Sequence, residues 1–450
     1  MLAFIISLLG ILLTIFLVVS IHEFGHFIFA RLLGVKVLRF SIGFGKPLYQ
    51  WHDRKGTEYA FAPILLGGYV KLLDENESPV PENELPMAYN RQPIYKRFLI
   101  AFAGPLFNLL FAFILYWLLF IVGVTTFVPQ VGKITPHSIA ADAGMQPRQE
   151  IISINHSTTP TWMSVIINIL TQAGNKGIMP VEVKQPDTQQ IKLLNLNLAN
   201  WHLDDLKPDP FTSLGFVPYD PLIPAIIKDV QPDSDAFTKL AKGDKILSVE
   251  KKPINDWSDL VTIITEHPGE TLAFTINHNG KIVHTQITTG YQRDMFLKKY
   301  GFLGVTPQFT WPESLFRKQQ YGPLDSLTHA YKQVSELTQL NFIIIGKMLV
   351  GKISLKSLGG PITIFESAGA ALNHGIISFL SFLAFLSIAI GIINILPIPG
   401  LDGGHVLLQL IEVIIRRPIS LKFQLLFFRL GFIFLLLILV QALVNDFLRM

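Results

Sequence analysis

Four long stretches of this chain are apolar and almost free of charge, and they limit the possible folds more than anything else in the sequence. Met1–Ile21 is uncharged and runs into His22. Phe98–Val124 carries no charge, and Asn108 is its most polar side chain. Ile376–Leu401 is also uncharged but contains Asn394, Pro397 and Pro399, while Leu425–Val444 contains only Arg429. Each reaches the roughly 20 residues that a helix needs to cross a bilayer core. Only 16% of the 450 residues are charged, against about a quarter in a soluble domain. These features predict a polytopic α-helical membrane protein with four transmembrane helices. The first stretch lacks the basic start and small-residue cleavage site of a signal peptide, so it is expected to be retained.

Charge distribution orients the spans. Arg31–Arg97 holds ten Lys or Arg against seven acids, and the connection after the third span carries Arg416, Arg417 and Lys422. The positive-inside rule places both connections in the cytoplasm. Both termini and the large insert Thr125–Gly375 then lie outside, which in a Gram-negative bacterium is the periplasm. A net charge of +4 and a pI near 9.0 suit loops lying on anionic lipid. They leave no clustered basic face for nucleic acid. The absence of cysteine excludes disulfides, thiol catalysis and Fe–S clusters, and leaves His, Asp and Glu as metal ligands.

The insert contains an imperfect repeat: Glu150-Ile-Ile-Ser-Ile-Asn155 resembles Lys245-Ile-Leu-Ser-Val-Glu250, a domain-sized period of about 95 residues. A strand-like run precedes each copy, and a helix starting near Ser164 or Ser258 follows it. The pattern looks like two tandem PDZ domains, with Arg148-Gln149 in the first copy where that family usually has Gly-Asp. The expected divisions are 1–124, first half of a membrane core; 125–210 and 211–292, the two PDZ domains; 293–375, a connecting region with an amphipathic helix over Leu324–Val350; and 376–450, second half of the core.

Candidate chemistry lies at the ends of the first and third spans. His22-Glu23-Phe24-Gly25-His26 is an H-E-x-x-H motif. On a helix, positions i and i+4 share a face, so both imidazoles can hold one Zn²⁺, with Glu23 beside its water as general base. Ionisable groups closing an apolar span are costly and usually functional, although a plain span edge would also accommodate them. A catalytic zinc takes three protein ligands, and the candidate for the third is Asp402, in Asn394-Ile-Leu-Pro-Ile-Pro-Gly-Leu-Asp-Gly-Gly404. There, prolines interrupt the span and free carbonyls at membrane depth. On these residues alone, Asp402 is equally a helix cap after a Pro/Gly turn. A shared metal would bring spans one and three side by side. His405 could approach as a fourth ligand only if the turn allows.

Together the two motifs resemble the site-2 protease family of intramembrane zinc metalloproteases, and the inserted PDZ pair resembles its bacterial regulator of sigma-E protease group. That resemblance implies His22, His26 and Asp402 as zinc ligands and Glu23 as general base. It implies Asn394 as a substrate or transition-state contact, and a membrane-associated β-hairpin region at Phe40–Trp51 and Glu58–Leu72. Further substrate contacts are expected at Gly67, Gly68, Tyr69, Pro397 and Pro399, with an unpaired strand edge holding an extended substrate. Implied substrates are single-span membrane proteins, namely an anti-sigma factor already trimmed in the periplasm and remnant signal peptides. The implied location is the inner membrane, with the active site near its cytoplasmic side. The rival expectation is a non-catalytic PDZ scaffold whose metal is structural. A transporter would require inverted repeats among the spans, and none is visible.

Overall fold

The computed structural model describes residues 2–186, 188–204, 209–293 and 299–449. Met1 of the first span, Asp187 and residues 205–208 of the first insert domain, 294–298 of the connecting region and Met450 lie outside the described residues. The chain forms two compact units, one of residues 1–217 with 317–450 and the other of residues 218–316.

In the first unit, helix α1 (Leu2–Leu32) leads into a sheet of β1 (Val37–Phe44), β2 (Tyr49–His52), β3 (Glu58–Phe61) and β4 (Ile64–Leu72). The strand order is β2-β3-β1-β4, with β1 parallel to β3 and antiparallel to β4. The expected two-run hairpin is therefore a four-stranded sheet, because each run breaks where turn residues interrupt it. Strand β4 stands at an edge. Arg31, in the last turn of α1, ties the sheet to the helix by pairing with Asp53 and donating to Thr57 Oγ1 at 2.8 Å. That pairing holds the Asp53 carboxyl down at about 2.

Helix α2 (Ile94–Val122) is the hub of the membrane core. It packs against α1 on one side and α5 (Ile376–Ile395) on the other. Ahead of α5 in the chain come α3 (Pro323–Leu349) and α4 (Pro361–Asn373), and after it α6 (Asp402–Ile415) and α7 (Leu421–Arg449). Among the described residues four helices are long and apolar enough to cross a membrane: Phe4–Leu32, Ile94–Val122, Ile376–Ile395 and Leu421–Arg449. Spans one and three do not simply lie side by side. Small residues on α2 (Ala101, Ala103, Gly104 and Ala112, all buried) let it sit between them. Pro397 and Pro399 cannot continue α5, which ends at Ile395, and Asp402 opens the new helix α6. This helix was not foreseen, since the segment after Asp402 reads as a loop. It is held to α2 by an ion pair between half-buried Arg97 and buried Glu412 at 2.6 Å.

The two sequence repeats take equivalent places in two small sheets. Strand Glu150–Ile154 pairs with Ser157–Thr158 and Ile178–Lys184, and the latter pairs with Ile191–Asn197. Strand Lys245–Val249 pairs with Lys252–Pro253 and Thr271–His278, and the latter with Lys281–Thr288. Each repeat ends in a two-residue turn with both φ positive, at Asn155-His156 and at Glu250-Lys251, the twist that a tight hairpin requires. Helices Trp162–Thr171 and Trp257–Glu266 follow, capped by Thr161 and Asp256. The Arg148-Gln149 departure leaves the loop unchanged. Arg148 takes φ 69° where Gly243 takes φ 91°, and Gln149 accepts from the Gln146 amide at 2.9 Å as Asp244 does from Ala241 at 2.8 Å. Strand Phe216–Pro218 pairs within the first sheet system and strand Val305–Pro307 within the second. The two compact units divide at Val217–Pro218, and the second runs to Phe316.

Candidate metal centre

Helical spacing places His22 and His26 one turn apart inside α1, which runs on past them to Leu32 rather than ending at the motif, with ring centroids 4.9 Å apart and the rings edge to face. Asp402 arrives from the far end of the chain in the first turn of α6, where the helix dipole favours a carboxylate. Its position depends on the glycines that follow. A Cβ on Gly403 would stand 2.1 Å from the Leu396 carbonyl oxygen and 2.3 Å from that of Ile395. Only a bare Cα lets α6 start directly against the end of α5.

The three side chains converge. His22 Nε2 lies 2.9 Å from Asp402 Oδ2, His26 Nε2 lies 3.4 Å from the same oxygen, and the two Nε2 atoms are 3.3 Å apart. Donor atoms on a tetrahedral zinc with arms near 2.0–2.1 Å stand about 3.3 Å from one another. Asp402 Oδ2 is buried and receives no well-directed hydrogen bond despite these short distances. An anionic oxygen and two ring nitrogens facing one point, with that oxygen orphaned, suit a cation, and nitrogen and oxygen donors suit zinc. Burial alone would raise the Asp402 pKa, but the two imidazoles outweigh burial and hold it below the carboxylate range.

The backbone of α2 completes the cradle. A Cβ on Gly104 would fall 2.3 Å from His26 Nε2 and 2.7 Å from His22 Nε2, so it would fill the space into which the donor atoms point. Gly104→Ala should therefore abolish zinc uptake while α2 stays helical, measured by metal analysis and circular dichroism of the purified chain. Normal zinc content in that variant would show that the ion sits elsewhere.

Around the three donors is a cavity of about 370 Å³ lined by Glu23, Tyr69, Val70, Tyr89 and His405 among others. The Val70 backbone amide faces the Glu23 carboxylate, so edge strand β4 runs directly past Glu23. Gly68 makes this approach close, since a Cβ there would lie 2.7 Å from the Ser41 carbonyl oxygen and 3.3 Å from Glu23 Cγ. Gly67 packs on the Phe44 ring. Asn394, Pro397 and Pro399 do not line this cavity; Pro399 packs instead against Gly431 of α7. Burial pushes the His405 pKa below its ordinary value, and its ring lies 4.5 Å from that of Phe428. Among the described residues the grouped donors are His22, His26 and Asp402, so His405 does not close the site. Burial raises the Tyr89 hydroxyl to about 12, and it accepts from Gln409 Nε2 at 3.1 Å.

No local pattern in the sequence marks Gly104 or Tyr89 for a place at this site. Asn108 is marked there, as a carboxamide in a span otherwise without strongly polar groups.

Helices long and apolar enough to cross a membrane thus bring together two histidines and an aspartate, with a further carboxylate beside them. The chain belongs to peptidase family M50, whose description matches residues 10–438. It is 39% identical over 450 residues to the regulator of sigma-E protease RseP of Salmonella typhimurium, covering 100% of this chain and 98% of that one. It is 37% identical over 452 residues to the protein of that name from Escherichia coli K12, covering both chains fully. A Vibrio cholerae relative, 37% identical over 451 residues, covering 100% of this chain and 98% of that one, has "zinc metalloprotease" in its name. Among solved structures, a PDZ domain of an SdrC-like protein from Listeria innocua is similar to part of the chain. It is 17% identical with a TM-score of 0.18, covering 20% of this chain and 97% of that one.

Proposed function

We propose that the chain is an intramembrane zinc protease that cuts single-span membrane proteins within or just beneath the bilayer. The observation that carries this reading is the meeting of His22, His26 and Asp402 in one cavity that edge strand β4 also lines. His22, His26 and Asp402 would hold the zinc. The chemistry that a zinc held there would supply is a lowered pKa for a water and polarisation of the scissile carbonyl. Glu23 takes the proton of the attacking water and returns it to the leaving amine. A transmembrane helix hides its peptide bonds, so the substrate must unwind. Pairing of the extended segment with β4 at Gly67, Gly68 and Tyr69 would supply hydrogen bonds for the unwound backbone. Asn394, Pro397 and Pro399 are proposed as further substrate contacts at the end of α5. A set of three protein donors would leave a bound zinc a position for water, as a catalytic site needs and a closed structural site does not.

The two repeats are read as tandem PDZ domains in the periplasm, admitting substrates already trimmed there. The chain is placed in the inner membrane with both termini periplasmic. An anti-sigma factor in envelope stress signalling is the proposed substrate, with remnant signal peptides as a second class; the relatives' name, regulator of sigma-E protease, supports only the link to sigma-E. The test is reconstitution of the zinc-loaded chain in vesicles with a trimmed single-span substrate, where cleavage should fall inside the span. Excising Pro218–Phe316, one compact unit, should keep that cleavage within a few-fold but let untrimmed substrate be cut. Cleavage only outside the span would overturn the intramembrane reading. Unchanged discrimination after excision would overturn the filter.

A further inference from the structure

Asn108 is fully buried in the middle of α2, where a polar side chain costs energy unless it is partnered. It is not one of the three metal donors. Its Nδ2 lies 3.2 Å from Nδ1 of His22, and its Oδ1 is buried without a hydrogen-bond partner. The other imidazole shows what His22 lacks: His26 Nδ1 lies 2.7 Å from the Ile100 carbonyl oxygen, so its proton belongs on Nδ1 and its Nε2 lone pair is free to face the cradle. An imidazole that gives Nε2 to a metal keeps its proton on Nδ1 and needs an acceptor there. With Nδ2 turned toward His22, two donors would oppose each other. A half-turn of the amide, which exchanges two atoms of nearly equal size, brings Oδ1 onto the His22 Nδ1–H and gives the orphaned oxygen its partner.

The backbone beneath this side chain is fixed. Ser387 Oγ of α5 donates to the Asn108 carbonyl at 2.9 Å, and α5 passes so close that a Cβ on Gly391 would stand 3.2 Å from Asn108 Cβ. Helix α2, which supplies no ligand, thus orients both imidazoles.

We propose that Asn108 is a positioning residue, its side-chain oxygen accepting the Nδ1–H of His22 and fixing that ring's tautomer and direction toward the metal cradle. The proposal rests on the zinc reading above. Zinc affinity of the full chain, measured by chelator competition, tests it together with the visible absorption of the cobalt-substituted protein. Asn108→Ala should weaken zinc binding by about 10–100-fold, the usual cost of losing such a partner, and should alter the cobalt spectrum. Asn108→Asp keeps an acceptor and should restore affinity to within a few-fold of wild type. Mere packing predicts the reverse order, because an unpaired buried charge costs more than a lost amide. In zinc-loaded wild type, nitrogen NMR of labelled histidine should show a slowly exchanging Nδ1–H on His22. Equal zinc affinity in wild type and Asn108→Ala, Asn108→Asp weaker than Asn108→Ala, or an unprotonated Nδ1 would each overturn the role of Asn108. A wild-type chain that takes up no zinc would remove the reading beneath it as well.

Discussion

Asp402→Asn is expected to lower zinc affinity by more than about 100-fold, beyond the cost of an outer partner, and to lower cleavage in parallel. The substitution keeps the shape of the side chain and removes its charge. In the cradle that charge sits 2.9 and 3.4 Å from the two Nε2 atoms, where a neutral amide can offer only a weak oxygen or an opposing N–H. The metal-free fold should change little. Asp402 lies in the first turn of α6, and losing a charge near a helix N-terminus costs about 0.3–1 kcal/mol. Chelator competition, cleavage of a single-span substrate and thermal unfolding of the metal-free chain separate these effects. If the variant binds zinc and cleaves as wild type does, the shared site is wrong and a scaffold role takes its place.

Glu23→Gln should give the opposite pairing, with zinc retained and cleavage reduced by about 10²–10⁴-fold, the usual worth of a positioned general base. The glutamine fills the same space beside β4 but cannot accept the water proton. Because Glu23 is not in the group of converging donor atoms, metal content should stay at the wild-type level. Substrate affinity, read with an uncleaved span in the variant, should also hold, since strand pairing at β4 uses backbone groups. Residual activity within a few-fold of wild type would remove Glu23 from the proton-transfer step. Loss of zinc in this variant would instead make it a ligand.

Much of this was legible in one dimension because bilayer and metal impose rules on composition and spacing. A span must be about 20 apolar residues long, so the four helices could be placed to within a few residues at most ends. Two histidines at i and i+4 must share a helix face. The insert repeat was legible for a similar reason, since Glu150–Asn155 and Lys245–Glu250 carry the same alternation into the same turn. Helix α6 was missed because a Pro/Gly-rich run before Asp402 reads as a chain ending its helix. The start of the new helix depends on packing against the end of α5.

By itself the sequence determined which residues could bind a metal, that they stand in or beside the apolar stretches, and that Asp402, distant in the chain, was a candidate to join the two histidines. Only the tertiary structure decided how they meet. Helix α2 stands between the ligand-bearing helices, and the bare Cα atoms of Gly104 and Gly403 leave room for the donor atoms and for the start of α6. It also decided that β4, rather than another strand, passes Glu23, and that Asn108 faces His22. The physical reason is that span formation and helix-face geometry are local, set by hydropathy and a 3.6-residue period. The approach of one backbone to another helix's side chains is set by packing among residues hundreds of positions apart, and no local pattern encodes it.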